Sequence, residues 1–166
     1  MTVRNHLFAT EHVVVRGLVS PLASRLGDHL RSCQRHFVTV TDAEIRDILT
    51  DHVTAADVVK IGLGSIVWAH EFVALTGDDF RRRHKESEPE HPVIMTMNRP
   101  EGFVIAGWQA EGAASQDPTF IVVKRPRCEG STALAARHAE LVSALPYVLV
   151  NHVAPAIIVP GSPSAE

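Results

Sequence analysis

The chain of 166 residues is 45% hydrophobic and 21% charged, enough apolar material for a buried core and too much for a disordered segment. Sixteen Lys and Arg against nineteen Asp and Glu leave a net charge of -3, which excludes a general coat for nucleic acid held by phosphate attraction. Two cysteines, Cys33 and Cys128, exclude a disulfide scaffold, and no apolar run reaches the roughly 18 residues of a membrane-spanning helix, so a soluble cytoplasmic protein without membrane insertion is expected.

From His6 to Val19 the chain is apolar and β-branched, which suits one long strand or two joined by a bulge, with Gly17 at the bend. Ser20 and Pro21 form a helix entry, and Leu22, Leu26 and Leu30 repeat at helical spacing, predicting a helix over Pro21 to Cys33. Phe37, Val38 and Val40 alternate with Thr39 and Thr41 as a strand that runs out towards Ile45. Val58, Val59 and Ile61 lead through Gly62, Leu63 and Gly64 into Ile66, Val67 and Trp68, which reads as a glycine-turned pair of strands. Residues 76 to 92 are almost wholly polar and read as a solvated linker or loop.

The second half predicts strands near Val93 to Met97, Phe103 to Trp108 and Phe120 to Lys124. Ser131 then precedes an alanine-rich segment in which Leu134, Leu141, Val142 and Leu145 share one helical face, until Pro146 stops it. Tyr147 to Val150 and Ala156 to Val159 complete the strands, and a Pro and Ser tail follows.

His12 to Ile45 set beside Phe120 to Pro155 suggests an internal duplication, in which Leu30 matches Leu141 and Phe37-Val38 matches Tyr147-Val148. The expected fold class is therefore α+β and strand-rich: two β-α-β-containing halves, forming small antiparallel sheets or barrels with two helices packed on them. The expected division is a strand-rich half over 1–75, a linker over 76–92, a second strand-rich half over 93–160 and a tail over 161–166.

Ten histidines are the compositional oddity, and histidine is both a common metal ligand and a common acid or base. No His-Glu-x-x-His or Cys-x-x-Cys pattern frames them, and the His138-Ala139-Glu140 step lacks the Pro-Cys-x-x-Cys that a zinc deaminase needs. If ligands converge only in space, the first-half pool is His12, His29, His36 and His70. Cys33 continues a leucine face, whereas Cys128 lies in the basic stretch Lys124 to Gly130, read as an exposed turn, and no nucleophile elbow surrounds either cysteine. Gly62-Leu63-Gly64-Ser65 is too short for a dinucleotide fingerprint. Arg81, Arg82, Arg83 and Lys85, with Lys124, Arg125 and Arg127, are the basic islands available to an anion or nucleic acid. The three arginines resemble the cluster with which the PilZ family holds cyclic di-GMP, but that family's Asp-x-Ser-x-x-Gly is absent.

Residues 12 to 72 resemble the Sm-like fold, in the strand of Phe37 to Thr41 with its acidic turn and in the closing step Gly64-Ser65-Ile66-Val67. The resemblance implies a small β-barrel core. Leu63 stands where that family has its RNA-contacting arginine, so no functional residue carries over. Arg25 to Leu30 followed by Phe37 to Ala43 is also similar to a pattern in uncharacterised bacterial proteins with small barrel cores, which carries no known activity.

These readings favour an interaction or scaffold subunit without catalytic residues or a cofactor, which self-assembles or joins a larger bacterial protein complex, because strand-rich halves have edges that must be paired or protected. The alternatives are a nucleic-acid or nucleotide-binding small barrel and a histidine-based metal enzyme.

Overall fold

The computed structural model describes residues 5–19, 37–72, 90–110, 120–151 and 153–160. Alternation of apolar and polar residues builds the strands. In β3 (Phe37–Asp47), Val38 and Val40 are buried while Phe37 and Thr39 face out. The predicted apolar run from His6 divides into β1 (Asn5–Ala9) and β2 (Val13–Leu18), because the Thr10 N–H donates to the Val13 carbonyl and closes a turn between them. Residues 48–52 turn β3 into β4 (Val53–Gly62). The Asp47 carboxylate accepts the Leu49 and Thr50 N–H groups there, and these bonds, Thr50's foremost, hold its pKa below the ordinary value. A 3-10 turn (Leu63–Ser65) leads to β5 (Trp68–Phe72).

The second half supplies β6 (Glu90–Met97), β7 (Phe103–Ala110), β8 (Phe120–Gly130), helix α1 (Ala133–Ser143), β9 (Tyr147–Asn151) and β10 (Pro155–Pro160). All ten strands join one antiparallel sheet in the order β10-β6-β7-β8-β9-β5-β1-β2-β3-β4.

This overturns the expected α+β class. The described residues hold one ten-stranded antiparallel sheet and a single α-helix, without β-α-β halves and without two helices packed on sheets. The helix expected over Pro21 to Cys33 lies outside the described residues, so its leucine face bears on nothing here. The glycine-turned strands are also corrected: β4 and β5 follow one another but do not pair, β4 lying at one end of the sheet while β5 sits between β1 and β9. Periodicity identifies strands, whereas partners are chosen by side chains distant in sequence. Glu90, His91 and Pro92, expected in the linker, open β6, and the cap of α1 is Thr132, whose hydroxyl accepts the Ala135 N–H at 3.0 Å.

The sheet carries one strand pattern twice: β5-β1-β2-β3-β4 and β10-β6-β7-β8-β9. The match extends to single residues. Arg16 faces Glu44 and Leu18 faces Thr41 across a register shift, just as Ala106 faces Arg127 and Trp108 faces Lys124. A Cβ on Gly17 would stand 2.5 Å from Val40 Cγ1 and 2.8 Å from the Thr41 carbonyl oxygen; one on Gly107 would stand 2.4 Å from Val123 Cγ1 and 2.8 Å from the Lys124 carbonyl oxygen. At the bend, Asp42 and Arg125 adopt positive φ of 49° and 50°. Phe37 therefore corresponds to Phe120, which replaces the sequence alignment of Phe37-Val38 with Tyr147-Val148. The latter pair lies in β9, whose counterpart is β4.

Strands β1 to β5 share one core, centred on Phe8, Val15, Val38, Val40, Ile61 and Ile66. A second core joins Met95, Phe103, Ile105, Val123, Val148 and Val150 with the Ala135, Ala139 and Val142 face of α1. Ala9, Val14, Ile48, Val67 and Trp68 of the first half belong to this second core, and Phe120 and Leu149 of the second half belong to the first, so both cores cross the β5–β9 junction.

Candidate functional site

Of the histidine pool, His12 and His70 fall among the described residues and stand on different elements. His12 sits exposed in the β1–β2 turn with Nε2 3.8 Å from Glu11, His70 is buried on β5, and His29 and His36 lie outside the described residues. Among the described residues no three histidine, cysteine or acidic side chains are grouped as a metal would require. His70 instead joins a polar cluster at the sheet junction. Its Nδ1 donates to the Tyr147 carbonyl at 2.9 Å, the two rings lie 4.7 Å apart, and the Tyr147 hydroxyl donates to the Glu71 carbonyl at 3.4 Å. On the neighbouring strand His6, buried beside Phe8, has Nε2 4.0 Å from the buried Glu71 carboxylate. Burial is the main cause of the lowered His70 pKa, keeping the imidazole neutral.

Two of these histidine positions were not singled out by the sequence. His6 alternates in phase with Phe8 on β1, and that shared period was the available signal. For His138 the signal was helical spacing, four residues after Leu134 and three before Leu141: it lies on the buried face of α1, where its Nδ1 accepts the Trp68 indole N–H at 3.0 Å and its Nε2 lies 2.9 Å from the Glu11 carbonyl, to which it donates. The imidazole thus ties helix, junction and β1–β2 turn together as a neutral ring, and burial lowers its pKa.

The basic islands are also changed by tertiary context. Arg81, Arg82, Arg83 and Lys85 lie outside the described residues. Lys124 is 7% exposed, with its ammonium 3.2 Å from Glu90, and Arg125 pairs with the other Glu90 oxygen while its guanidinium lies 5.6 Å from the centre of the Trp108 ring. The Arg125 hydrogen bond is the largest cause of the lowered Glu90 pKa. Only Arg127 of this island has an exposed side chain without such a pairing described. Cys128, expected in an exposed turn, is half-buried within β8, and burial pushes its thiol up to about 11, far from a thiolate nucleophile.

A cavity of about 260 Å³ opens between α1 and the β3–β4 turn, with Arg16, Arg46 and Arg137 facing Glu44 and Asp51. Arg137 reaches Asp51 at 3.0 Å, Glu140 at 2.7 Å and the Ile48 carbonyl at 3.2 Å, and Arg46 reaches Glu44 at 3.2 Å. The Arg137 bonds to Asp51 and the Ile48 carbonyl tie the helix to the first half.

The two ends of the sheet stand apart from these internal contacts. On β10, Ile157, Ile158 and Val159 are 57%, 42% and 49% exposed; on β4, Val53 and Val58 are 43% and 56% exposed. Trp68 and Ala69 of β5, which correspond to Ile157 and Ile158, are fully buried. The arrangement offers backbone donors and acceptors flanked by apolar side chains, the chemistry of strand pairing. Among the described residues no helix is long and apolar enough to cross a membrane. The chain matches no family model, no curated protein and no solved structure.

Proposed function

We propose that the protein is an interaction or scaffold subunit that self-assembles through the ends of its sheet. The observation that carries this reading is the exposure of three consecutive apolar residues, Ile157 to Val159, along the outermost strand β10. An end strand of this kind attracts another strand unless short length, charge or proline blunts it. Proline stands at both ends of β10, at Pro155 and Pro160, but the three residues between the alanine and the second proline carry no charge. Pairing satisfies their backbone groups and removes their side chains from water at once.

Light scattering behind size exclusion tests the reading on the purified chain. A mass above the 18.1 kDa of one chain, rising with concentration across the micromolar range, is expected. A mass of 18.1 kDa at every concentration overturns it.

A further inference from the structure

The chain already contains one junction between a last strand and a first strand of its repeated pattern. β9, last of the second set, pairs antiparallel with β5, first of the first set, through Trp68 opposite Val150 and Ala69 opposite Leu149. The other first strand, β10, and the other last strand, β4, are the two ends of the sheet. We propose that β4 of one copy pairs antiparallel with β10 of the next, repeating the β9–β5 junction between molecules. The proposal rests on the self-assembly reading and names both the partner, a second copy of this chain, and the register.

The register follows from neighbours inside each set. Val58 faces Thr41 as Tyr147 faces Lys124, so Lys60 and Ile61 correspond to Leu149 and Val150. His6 faces Gly17 as Val93 faces Gly107, which makes Met95 the counterpart of Phe8. Ile158 faces Met95 as Ala69 faces Phe8, so Ile157 and Ile158 correspond to Trp68 and Ala69. The contact therefore sets Ile157 opposite Ile61 and Ile158 opposite Lys60 of the neighbouring copy. Inside the chain the Asn151 N–H donates to the Val67 carbonyl at 3.1 Å, and its counterpart is the Gly62 N–H donating to the Ala156 carbonyl of the neighbour.

Burial supports the correspondence. Trp68, Ala69 and Val150 are fully buried and Leu149 is 6% exposed, whereas Ile157 and Ile158 stand open. The internal junction holds with two paired positions, so the short span between Pro155 and Pro160 is long enough to repeat it. Lys60 is exposed and is the one charged residue in this register. Its methylene stem can lie over Ile158 while the ammonium reaches water at the rim. Each copy uses β4 towards one neighbour and β10 towards another, so the assembly is a ring where the rotation closes and a filament where it does not.

Charge placed at the paired positions tests partner and register together, by light scattering on the full chain. Ile158→Lys sets two ammonium groups opposite one another, and its mass is expected to fall to 18.1 kDa at concentrations where the wild type is assembled. The double variant Ile158→Lys with Lys60→Glu is expected to recover the wild-type mass, because opposite charges then face each other. An independent check mixes Lys60→Cys chains with Ile158→Cys chains under oxidant, and a disulfide-linked pair that neither forms alone is expected. An assembled wild type whose mass survives Ile158→Lys, a double variant that stays monomeric, or a cysteine mixture without the linked pair overturns this register while leaving self-assembly standing. A wild type of 18.1 kDa throughout removes the self-assembly reading itself.

Discussion

At the scale of single residues, Gly17 and Gly107 show how two unlike sequences reach the same bend. Each lies beside a register shift with a valine methyl and a backbone carbonyl where a Cβ would stand, and the carbonyl cannot rotate away as a flexible side chain would. Gly17→Ala and Gly107→Ala are each expected to destabilise by about 1–3 kcal/mol in urea unfolding, as overpacking does. Gly64→Ala, with nothing within 4 Å of the added carbon, is the control and is expected to change stability by less than about 0.5 kcal/mol. His138 supplies the pH dependence. Burial depresses its pKa and that of His70, so the folded chain excludes protons that the unfolded chain binds below about pH 6.5. Stability is full above that pH and falls as the pH drops from there towards the folded values. His138→Leu leaves the Trp68 indole and the Glu11 carbonyl unpartnered, so it is expected to cost about 2 kcal/mol or more near neutral pH. Urea melts at about pH 7.5 and 5.5 are expected to show a smaller acid loss in this variant than in the wild type.

At the scale of elements, α1 replaces in the second half the short β3–β4 turn of the first, and it holds both halves. Its apolar face enters the second core, while Arg137 and His138 reach back to Asp51, Ile48 and Glu11. Its entry depends on one side chain, the Thr132 hydroxyl that accepts the Ala135 N–H. Thr132→Ala is expected to cost about 1 kcal/mol in thermal or urea melts, and Thr132→Ser to cost almost nothing, because the capping oxygen is retained. The helix was legible in the sequence because alanine and leucine spacing is a local signal that Pro146 ends. Unlike the ends of β4 and β8 at Val53 to Asp57 and Arg125 to Gly130, the apolar centres of the strands were legible for the same reason. Their pairing was not: β4 and β5 are adjacent in sequence and separated by three strands in the sheet, since each pairs where its buried face meets a complementary one.

At the scale of the whole molecule, the sheet is protected in the middle and open at its ends. β5 and β9 are held on both sides, and their amides are expected to exchange most slowly with deuterated solvent. Amides of β4 and β10 that point outward are expected to be slow in the assembled protein and to become fast after dilution to single chains. Equal exchange at both concentrations would mean that the ends are not paired in the assembly.

The sequence by itself determined that the chain is strand-rich, where the centres of most strands and the one described helix lie, and that no catalytic motif is framed locally, because these depend on periodicity and on neighbours a few residues apart; Val53 to Asp57 and Arg125 to Gly130 became strand only through their partners in the sheet. Tertiary structure alone decided the sheet order, the true register of the repeated pattern and the fate of the titratable residues. His6 and His138 look like other histidines until strands and helix bury them, and Lys124 looks like an anion contact until Glu90, thirty-four residues away, meets it. Which charge is spent inside and which edge is left open depends on contacts between distant residues, and such contacts exist only once the sheet has formed.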